Sequence, residues 1–255
     1  MTLNNISISK NIAIKTQSQI DLRVDIYDGI SPETIIKKNI LLFPGGSWFT
    51  SNYKPLVERF AIPLAKLGYR CITAQYRVAK ESTWPGQLQD VSAILEWLDK
   101  TQYTSDFGNN RVLIAGKSAG GHLALMSPLV NEMSENLPTI AGVIGLAPVI
   151  DIGAALTRDD IANILGPKPS EKYIRNASPL EHVTLKYPPT LLIHGTSDDR
   201  VHHAPTLDMY QRLEKLGVPA DLLLLAGKDH SFDSEPEISR LMVSVIDLFI
   251  SRYIC

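Results

Sequence analysis

The segment at residues 111–125, RVLIAGKSAGGHLAL, constrains the fold of this chain more than any other part of its sequence. Its apolar start predicts a short buried strand, and Leu123, Met126 and Val130 have the spacing of a helix. Between strand and helix lies a Gly-x-Ser-x-Gly turn centred on Ser118, a motif that carries chemistry in this context. We therefore expect a strained serine whose hydroxyl stands exposed at the carboxyl end of the strand.

The glycines of this turn have a steric reason to be there. Gly116 and Gly120 flank Ser118 and lack the Cβ atoms that would clash with neighbouring backbone in so tight a connection. The amide of Ala119 is expected to face the same space as the Ser118 hydroxyl. The alternative is a glycine-rich turn without chemistry, and partner residues elsewhere in the chain decide between the two.

Hydrophobic patterns on both sides of the turn indicate a mostly parallel sheet. Residues 5–15 and 19–27 alternate polar and apolar side chains and predict an antiparallel hairpin. From residue 39 onwards, short apolar runs alternate with helical patterns, which is typical of a parallel sheet with helices on both faces. Pro63 lies inside one helical pattern and predicts a kink or break. Residues 151–187 lack the alternation, and we expect them to form a small cap over the sheet edge.

Length and composition are those of one globular domain. The chain has 255 residues, of which 44% are hydrophobic, so we expect a single domain over residues 1–255. The formal charge of −2 argues against nucleic-acid and stable membrane partners. Two cysteines are too few for a disulfide framework, and the amino terminus has the pattern of a strand instead of a signal peptide. These features predict a cytoplasmic protein, and a homodimer is compatible with them.

A nucleophilic serine needs a base, an acid that orients the base, and donors for the developing negative charge. Among the six histidines, His230 is the favoured base because it follows the last predicted strand, at the same sheet edge as Ser118. His122 is too close to Ser118 in sequence and is expected to pack or cap. His194 ends a strand and is expected to hold its own loop.

The orienting acid is expected in the loop that follows the strand ending at His194. Asp198 and Asp199 are both candidates to accept the Nδ1 proton of His230. Asp198 is favoured, and Asp199 is expected to pair locally with Arg200.

Other acidic and histidine side chains near these loops are less favoured as catalytic groups or metal ligands. The adjacent side chains of His202 and His203 are expected to diverge, so a metal site with the two aspartates is not favoured. Asp229 and Asp233 lie on the loop of the candidate base and are expected to be solvated.

The segment PGGSW at residues 44–48 offers backbone donors for an oxyanion. Its glycines allow the backbone to approach an acyl oxygen closely. We expect the amides of Gly46, Ser47 and Ala119 to form this oxyanion hole. A plain turn is the alternative.

The candidates occur in the chain order Ser118, Asp198, His230, which is the order of α/β-hydrolases and differs from the orders of serine proteases. From about residue 38 to the carboxyl terminus, the chain resembles the esterase and lipase group of this superfamily, including hormone-sensitive-lipase-like and feruloyl-esterase-like enzymes. The resemblance lies in PGGSW, YRVAKESTWPGQLQDV, GKSAGGHLA, SPLEHV, PPTLLIHGTSDDRV and DHSF.

The resemblance implies an α/β-hydrolase fold and a serine carboxylesterase without metal or cofactor. It implies the roles of nucleophile, base and orienting acid for Ser118, His230 and Asp198. Pro44 departs from the family pattern, which usually has a histidine there, so the bonds that brace the oxyanion loop must come from elsewhere or be absent. Lys117 stands where many relatives have Asp or His. We expect it to be solvated; the alternative is that this cation favours an anionic intermediate or an acidic substrate.

The short cap favours short acyl groups on small alcohols, phenols or sugars over long-chain triglycerides. Trp48, Trp84 and cap residues near 156–165 are candidates for lining the substrate pocket. Amide cleavage of the arylformamidase type is the alternative within the hydrolases, because GG-x-W together with GxSAGGH also occurs in that group. A non-catalytic ligand-binding protein on the same fold is the alternative from another class.

Overall fold

A computed structural model describes residues 2–3, 5–15, 21–30, 38–101, 110–133, 137–155 and 157–254. The cap position Leu156 falls outside this part of the chain. None of the described helices combines the length and the apolar character that a membrane crossing requires.

Within the described residues, nine strands form one sheet with the order β1-β2-β3-β5-β4-β6-β7-β8-β9. The strands are Thr2–Leu3 (β1), Ile6–Lys15 (β2), Asp21–Gly29 (β3), Asn39–Phe43 (β4), Arg70–Ala74 (β5), Arg111–Lys117 (β6), Thr139–Leu146 (β7), Thr190–Gly195 (β8) and Ala220–Leu225 (β9). β1, β2 and β3 pair antiparallel, and β3 is also antiparallel to β5. The remaining pairs, from β5 across to β9, are parallel. The expected hairpin and mostly parallel sheet are confirmed.

Helices cover both faces of this sheet. They are Lys54–Leu56 (α1), Ile62–Lys66 (α2), Gly86–Asp99 (α3), Ala119–Met126 (α4), Pro128–Met133 (α5), Ile152–Ala155 (α6), Arg158–Leu165 (α7), Glu171–Asn176 (α8), Ala204–Lys215 (α9) and Pro236–Tyr253 (α10). Successive residues of β4 point to opposite faces: Leu41 and Phe43 join the apolar cluster under α3 and α4, and Ile40 and Leu42 join the cluster under α10. This alternation is that of a strand buried on both sides.

The break expected at Pro63 takes the form of a π-helical segment, Val57–Ala61, between α1 and α2. The Ile62 N–H bonds the carbonyl of Val57, five residues earlier. Pro63 has no N–H to give to the carbonyl four residues before it, so the wider turn precedes it. The segment also carries Arg59 toward the functional edge of the sheet.

The turn between β6 and α4 has the strained geometry that its sequence predicts. Ser118 has φ 54° and ψ −119°, outside the regions that non-glycine residues prefer. A Cβ atom on Gly120 would lie 2.1 Å from the carbonyl oxygen of Phe43, and one on Gly116 would lie 2.1 Å from the carbonyl oxygen of Gly120. The steric role expected for both glycines is confirmed. The single helix expected from Leu123 onwards is instead divided, because Pro128 begins α5.

The segment expected to form a cap, residues 151–187, contains the short helices α6, α7 and α8. It packs on the loop before α3, where the Trp84 N–H bonds the carbonyl of Ile164 at 2.7 Å and the Tyr173 hydroxyl bonds the carbonyl of Trp84. On its other side, the Ala177 carbonyl accepts a bond from His122 in α4. The segment is therefore anchored to the elements that position the turn at Ser118.

His122 is fully buried and packs edge-on against the indoles of Trp48 and Trp84, with ring centroids 5.2 Å and 5.3 Å away. Its Nε2 donates to the carbonyl of Ala177 at 2.7 Å, which confirms the expected packing role. Burial lowers the pKa of His122 to about 4, although the bond to Ala177 opposes this shift. The imidazole is therefore neutral in the folded protein near pH 7.

Gly120→Ala is predicted to lower the free energy of unfolding by about 3 kcal/mol, because the new methyl group meets the backbone carbonyl of Phe43, which cannot move aside cheaply. Urea unfolding monitored by circular dichroism measures the change. Gly153→Ala is the control, since its Cβ would meet only the flexible side chains of Ile174 and Asp151, at 3.3 Å and 3.5 Å. Equal stability of the two variants would contradict the close packing at Gly120.

His122 is predicted to make the fold sensitive to mild acid. Between its unfolded pKa of 6.5 and its folded pKa of about 4, the unfolded chain binds a proton that the folded chain does not. The free energy of unfolding should therefore fall by about 2 kcal/mol between about pH 7.5 and about pH 5 on account of this residue. His122→Gln should remove that part of the loss in urea titrations at both pH values. His202→Gln, at an exposed position, is the control, and an identical loss in wild type and His122→Gln would contradict the assignment.

Candidate active site

Four loops meet at one edge of the sheet because each follows the carboxyl end of a parallel strand. Residues 44–48 follow β4, Ser118 follows β6, Asp198 follows β8 and His230 follows β9. The parallel arrangement of the strands therefore brings together, at the edge where ligands bind in such sheets, groups that are far apart in sequence.

The structure places the side chains of Ser118, His230 and Asp198 in one hydrogen-bonded line. His230 Nε2 lies 3.1 Å from Ser118 Oγ, and His230 Nδ1 lies 2.7 Å from Asp198 Oδ2. A carboxylate accepts hydrogen bonds, so Nδ1 carries the ring proton and Nε2 is left to accept the proton of the serine hydroxyl. This is the arrangement of a serine nucleophile with its base and orienting acid.

Asp198 is held as a buried carboxylate by several donors. Its Oδ1 accepts the N–H groups of Arg200 at 3.0 Å and Val201 at 2.8 Å. Its Oδ2 lies 3.2 Å from His194 Nε2 in addition to its contact with His230. Burial alone would raise the pKa of Asp198, but these hydrogen bonds outweigh burial and hold the pKa below its ordinary value. The group facing His230 is therefore ionised.

The surroundings of Asp198 test two further expectations. His194 Nδ1 lies 2.7 Å from the Thr206 hydroxyl and His194 Nε2 lies 2.9 Å from the Val201 carbonyl, so His194 holds its own loop as expected. Asp199 is exposed, and its expected ion pair with Arg200 is absent from the described residues.

The loop that follows β4 adopts an unusual backbone. Gly46 has φ 139°, and a Cβ atom there would lie 2.1 Å from the Thr50 carbonyl oxygen. Ser47 has φ 49°. In the part of the chain that is described, the N–H groups of Gly46, Ser47 and Ala119 bond no acceptor. Gly46 and Ser47 line the same cleft as Ser118.

Tyr76 braces this loop, a role that the sequence reasoning missed. Its buried hydroxyl donates to the Pro44 carbonyl at 3.0 Å, and the Ala79 N–H bonds the Trp48 carbonyl at 2.8 Å. Burial raises the pKa of Tyr76, so the phenol stays protonated and remains a donor. Position 44 is a proline where the family usually has a histidine, so the loop needs bracing bonds from other residues. These contacts from the segment YRVAK are bonds of that kind.

The side chain of Asp233 is buried and that of Lys117 is 16% exposed, which corrects the expectation that both are solvated. Lys117 Nζ pairs with Asp233 and donates to the His230 carbonyl at 2.8 Å. Arg59 Nη1 lies 2.5 Å from the second oxygen of Asp233, whose side chain is 3% exposed. Burial lowers the pKa of Lys117, and Asp233 opposes the shift. Asp229, by contrast, is exposed as expected.

The cleft in front of Ser118 has a volume of about 620 Å³. Trp48 and Trp84 do not line it; they are 0% and 6% exposed and pack around His122, which corrects their expected place beside the substrate. Phe49, which is 49% exposed, is an aromatic side chain at the cleft instead. The alternation of inward and outward side chains holds for a strand but not for a loop with positive φ angles. The sequence therefore cannot show whether Trp48 or Phe49 faces inward.

His202 and His203 also differ from expectation. Their rings stack with centroids 5.0 Å apart instead of diverging. Among the described residues, no group of three or more His, Cys, Asp or Glu side chains is arranged to hold a metal ion.

Similarity to known proteins agrees with this geometry. The chain is 28% identical over 217 residues to Esterase LipC of Mycobacterium tuberculosis (strain ATCC 25618 / H37Rv), a match that covers 76% of this chain and 53% of the relative. It is 25% identical over 209 residues to Probable carboxylic ester hydrolase LipM of the same strain, covering 74% of this chain and 48% of the relative. The chain thus spans about half the length of the curated relatives it matches.

Solved structures share the whole architecture. A truncated form of a carbohydrate esterase from gut microbiota superposes with a TM-score of 0.81 at 21% identity, covering 96% of this chain and 97% of that one. An acetyl ester-xyloside bifunctional hydrolase from Caldicellulosiruptor lactoaceticus has a TM-score of 0.77 at 21% identity, covering 93% and 95%. The BD-FAE family profile matches residues 24–213. The sheet order, the strained serine turn and this match together show that the chain belongs to the BD-FAE family and has the α/β-hydrolase fold.

Proposed function

We propose that this protein is a serine carboxylic ester hydrolase that works through an acyl-enzyme. The observation that carries the proposal is the pair of hydrogen bonds linking Ser118 Oγ to His230 Nε2, at 3.1 Å, and His230 Nδ1 to Asp198, at 2.7 Å. The esterases among the relatives of the chain support ester hydrolysis as the reaction.

The proposed reaction has two steps, acylation of Ser118 and hydrolysis of the acyl-enzyme, and the same residues act in both. Ser118 Oγ attacks the ester carbonyl carbon while His230 Nε2 takes the hydroxyl proton, and the same proton then passes to the leaving alcohol oxygen as the acyl-enzyme forms. Water repeats the sequence on the acyl-enzyme, releases the acid and restores Ser118. Asp198 stays ionised throughout and stabilises the imidazolium that forms on His230.

The amides of Gly46, Ser47 and Ala119 are the proposed donors to the tetrahedral oxyanion. Their support is that they bond no acceptor among the described residues and that Gly46 and Ser47 border the cleft of Ser118. Donors that are fixed before the reaction are worth about 3 kcal/mol each, because they need no reorientation when charge develops. Tyr76 contributes by holding the Pro44 carbonyl and hence the loop.

The substrates proposed are short-acyl esters of small alcohols, phenols or sugars. We assign the chain to one domain in which residues 151–187 act as a cap anchored by Trp84 and His122. This segment lines one side of the cleft through Asp160 and Asn163 without enclosing it, and an open cleft suits a compact ester better than a long acyl chain. Sugar esters gain support from solved relatives named as a carbohydrate esterase and an acetyl ester-xyloside hydrolase.

Ser118→Ala is predicted to abolish the burst of p-nitrophenolate from p-nitrophenyl acetate, because no acyl-enzyme forms without the hydroxyl. Stopped-flow absorbance measures the burst, and Ser197→Ala, at an exposed serine of the Asp198 loop, should retain it. An unchanged burst in Ser118→Ala would remove this serine from the reaction. N-formylkynurenine as a better substrate than aryl acetates would favour amide cleavage instead.

Asp198→Asn is predicted to lower kcat/KM by about 10⁴-fold, since an asparagine at this position can stabilise the wrong tautomer of His230 and no longer balances the imidazolium charge. Asp199→Asn should change kcat/KM by no more than about two-fold, because Asp199 is exposed. Steady-state hydrolysis of p-nitrophenyl acetate gives both values. The reverse ranking would reassign the orienting acid.

A further inference from the structure

We propose that the preferred ester carries a carboxylate, and that Arg59 and Arg200 bind it in the cleft in front of Ser118. The inference rests on the proposed ester hydrolysis and names its substrate class. Both arginines line this cleft together with Ser118 and His230.

Arg59 is held in place before any substrate arrives. Its Nη1 bonds the buried carboxylate of Asp233 at 2.5 Å, while its side chain remains 32% exposed at the cleft. A guanidinium has five N–H donors in a planar fork, and among the described residues Asp233 is the acceptor that Arg59 meets. The donors left over are available to a ligand without a change of side-chain conformation.

The charge around Arg59 is not balanced by Asp233 alone. Lys117 takes one oxygen of this carboxylate and Arg59 takes the other, so one negative charge faces two positive charges. Lys117 is 16% exposed and spends a further donor on the His230 carbonyl. The surplus positive charge is therefore presented to the cleft by the more exposed Arg59.

Arg200 adds a second cation from another loop. Its backbone N–H bonds Asp198 at 3.0 Å, which fixes the start of the side chain close to the reacting groups. The side chain is exposed and meets no carboxylate within the described part of the chain. Asp160, the other acidic residue at the cleft, accepts a bond from Thr157 at the start of α7. The charged side chains that line the cleft are thus net positive.

A carboxylate is the ligand that fits two guanidinium groups of this kind, because its two oxygens match the planar fork of an arginine. The cleft volume of about 620 Å³ accommodates a small ester together with such a group. The carboxylate can belong to the alcohol part or to the acyl part of the ester, and matched substrates separate the two.

The test compares two pairs of esters that differ in charge and little in shape. 4-Acetoxybenzoate and its methyl ester place the carboxylate on the leaving group, and ethyl hydrogen succinate and ethyl levulinate place it on the acyl group. In at least one pair, wild-type kcat/KM should be about ten-fold higher for the anion. The ratio within that pair should approach one in Arg200→Gln and fall in Arg59→Gln, and about 0.5 M NaCl should reduce it in wild type.

Arg252→Gln is the matched control, because Arg252 of α10 pairs with Asp221 of β9 and does not line the cleft. It should keep the wild-type ratio. The ratio is internal to each variant, so a general loss of activity in Arg59→Gln does not obscure it. Neutral esters hydrolysed as fast as anionic ones, or a ratio unchanged by Arg200→Gln and by salt, would overturn this inference and leave ester hydrolysis standing. Failure to hydrolyse any of the four esters would contradict the proposed function itself.

Discussion

The close approach of Gly120 to the carbonyl of Phe43 is the contact on which the rest of the site depends. It brings the start of α4 against the end of β4, so the serine turn and the loop of candidate oxyanion donors are joined through backbone atoms. A side chain at position 120 would push them apart. Ser118 keeps its strained φ of 54° because β6, α4 and this contact together leave its backbone no other path.

A second set of contacts ties the histidine loop to the same turn. Lys117, the residue before Ser118, reaches across to the carbonyl of His230 at 2.8 Å and to the carboxylate of Asp233. The position of His230 relative to Ser118 is thus set in part by the residue that precedes the serine. Arg59, from the π-helical segment, binds the other oxygen of the buried Asp233 carboxylate. Its side chain is partly exposed and lines the cleft.

The order of Ser118, Asp198 and His230 along the chain was sufficient to predict their meeting, because each follows a parallel strand and all such ends share one edge. Sequence patterns place these residues at the same sheet edge but do not give the hydrogen-bond distances between them, which depend on the packing of the loops. The ion pair of Lys117 with Asp233 and the burial of Trp48 could not be predicted in the same way. Charge and hydropathy describe a residue type, whereas its exposure depends on which loop packs against it.

Activation of Ser118 by His230 is tested most directly by intact mass after exposure to a fluorophosphonate. The wild-type protein should gain one adduct, Ser118→Ala none, and His230→Ala should react far more slowly while keeping its circular dichroism spectrum. A fluorophosphonate needs an activated serine and no particular ester, so the result does not depend on the substrate class. No adduct on the wild-type protein, or an equal adduct on Ser118→Ala, would contradict the account.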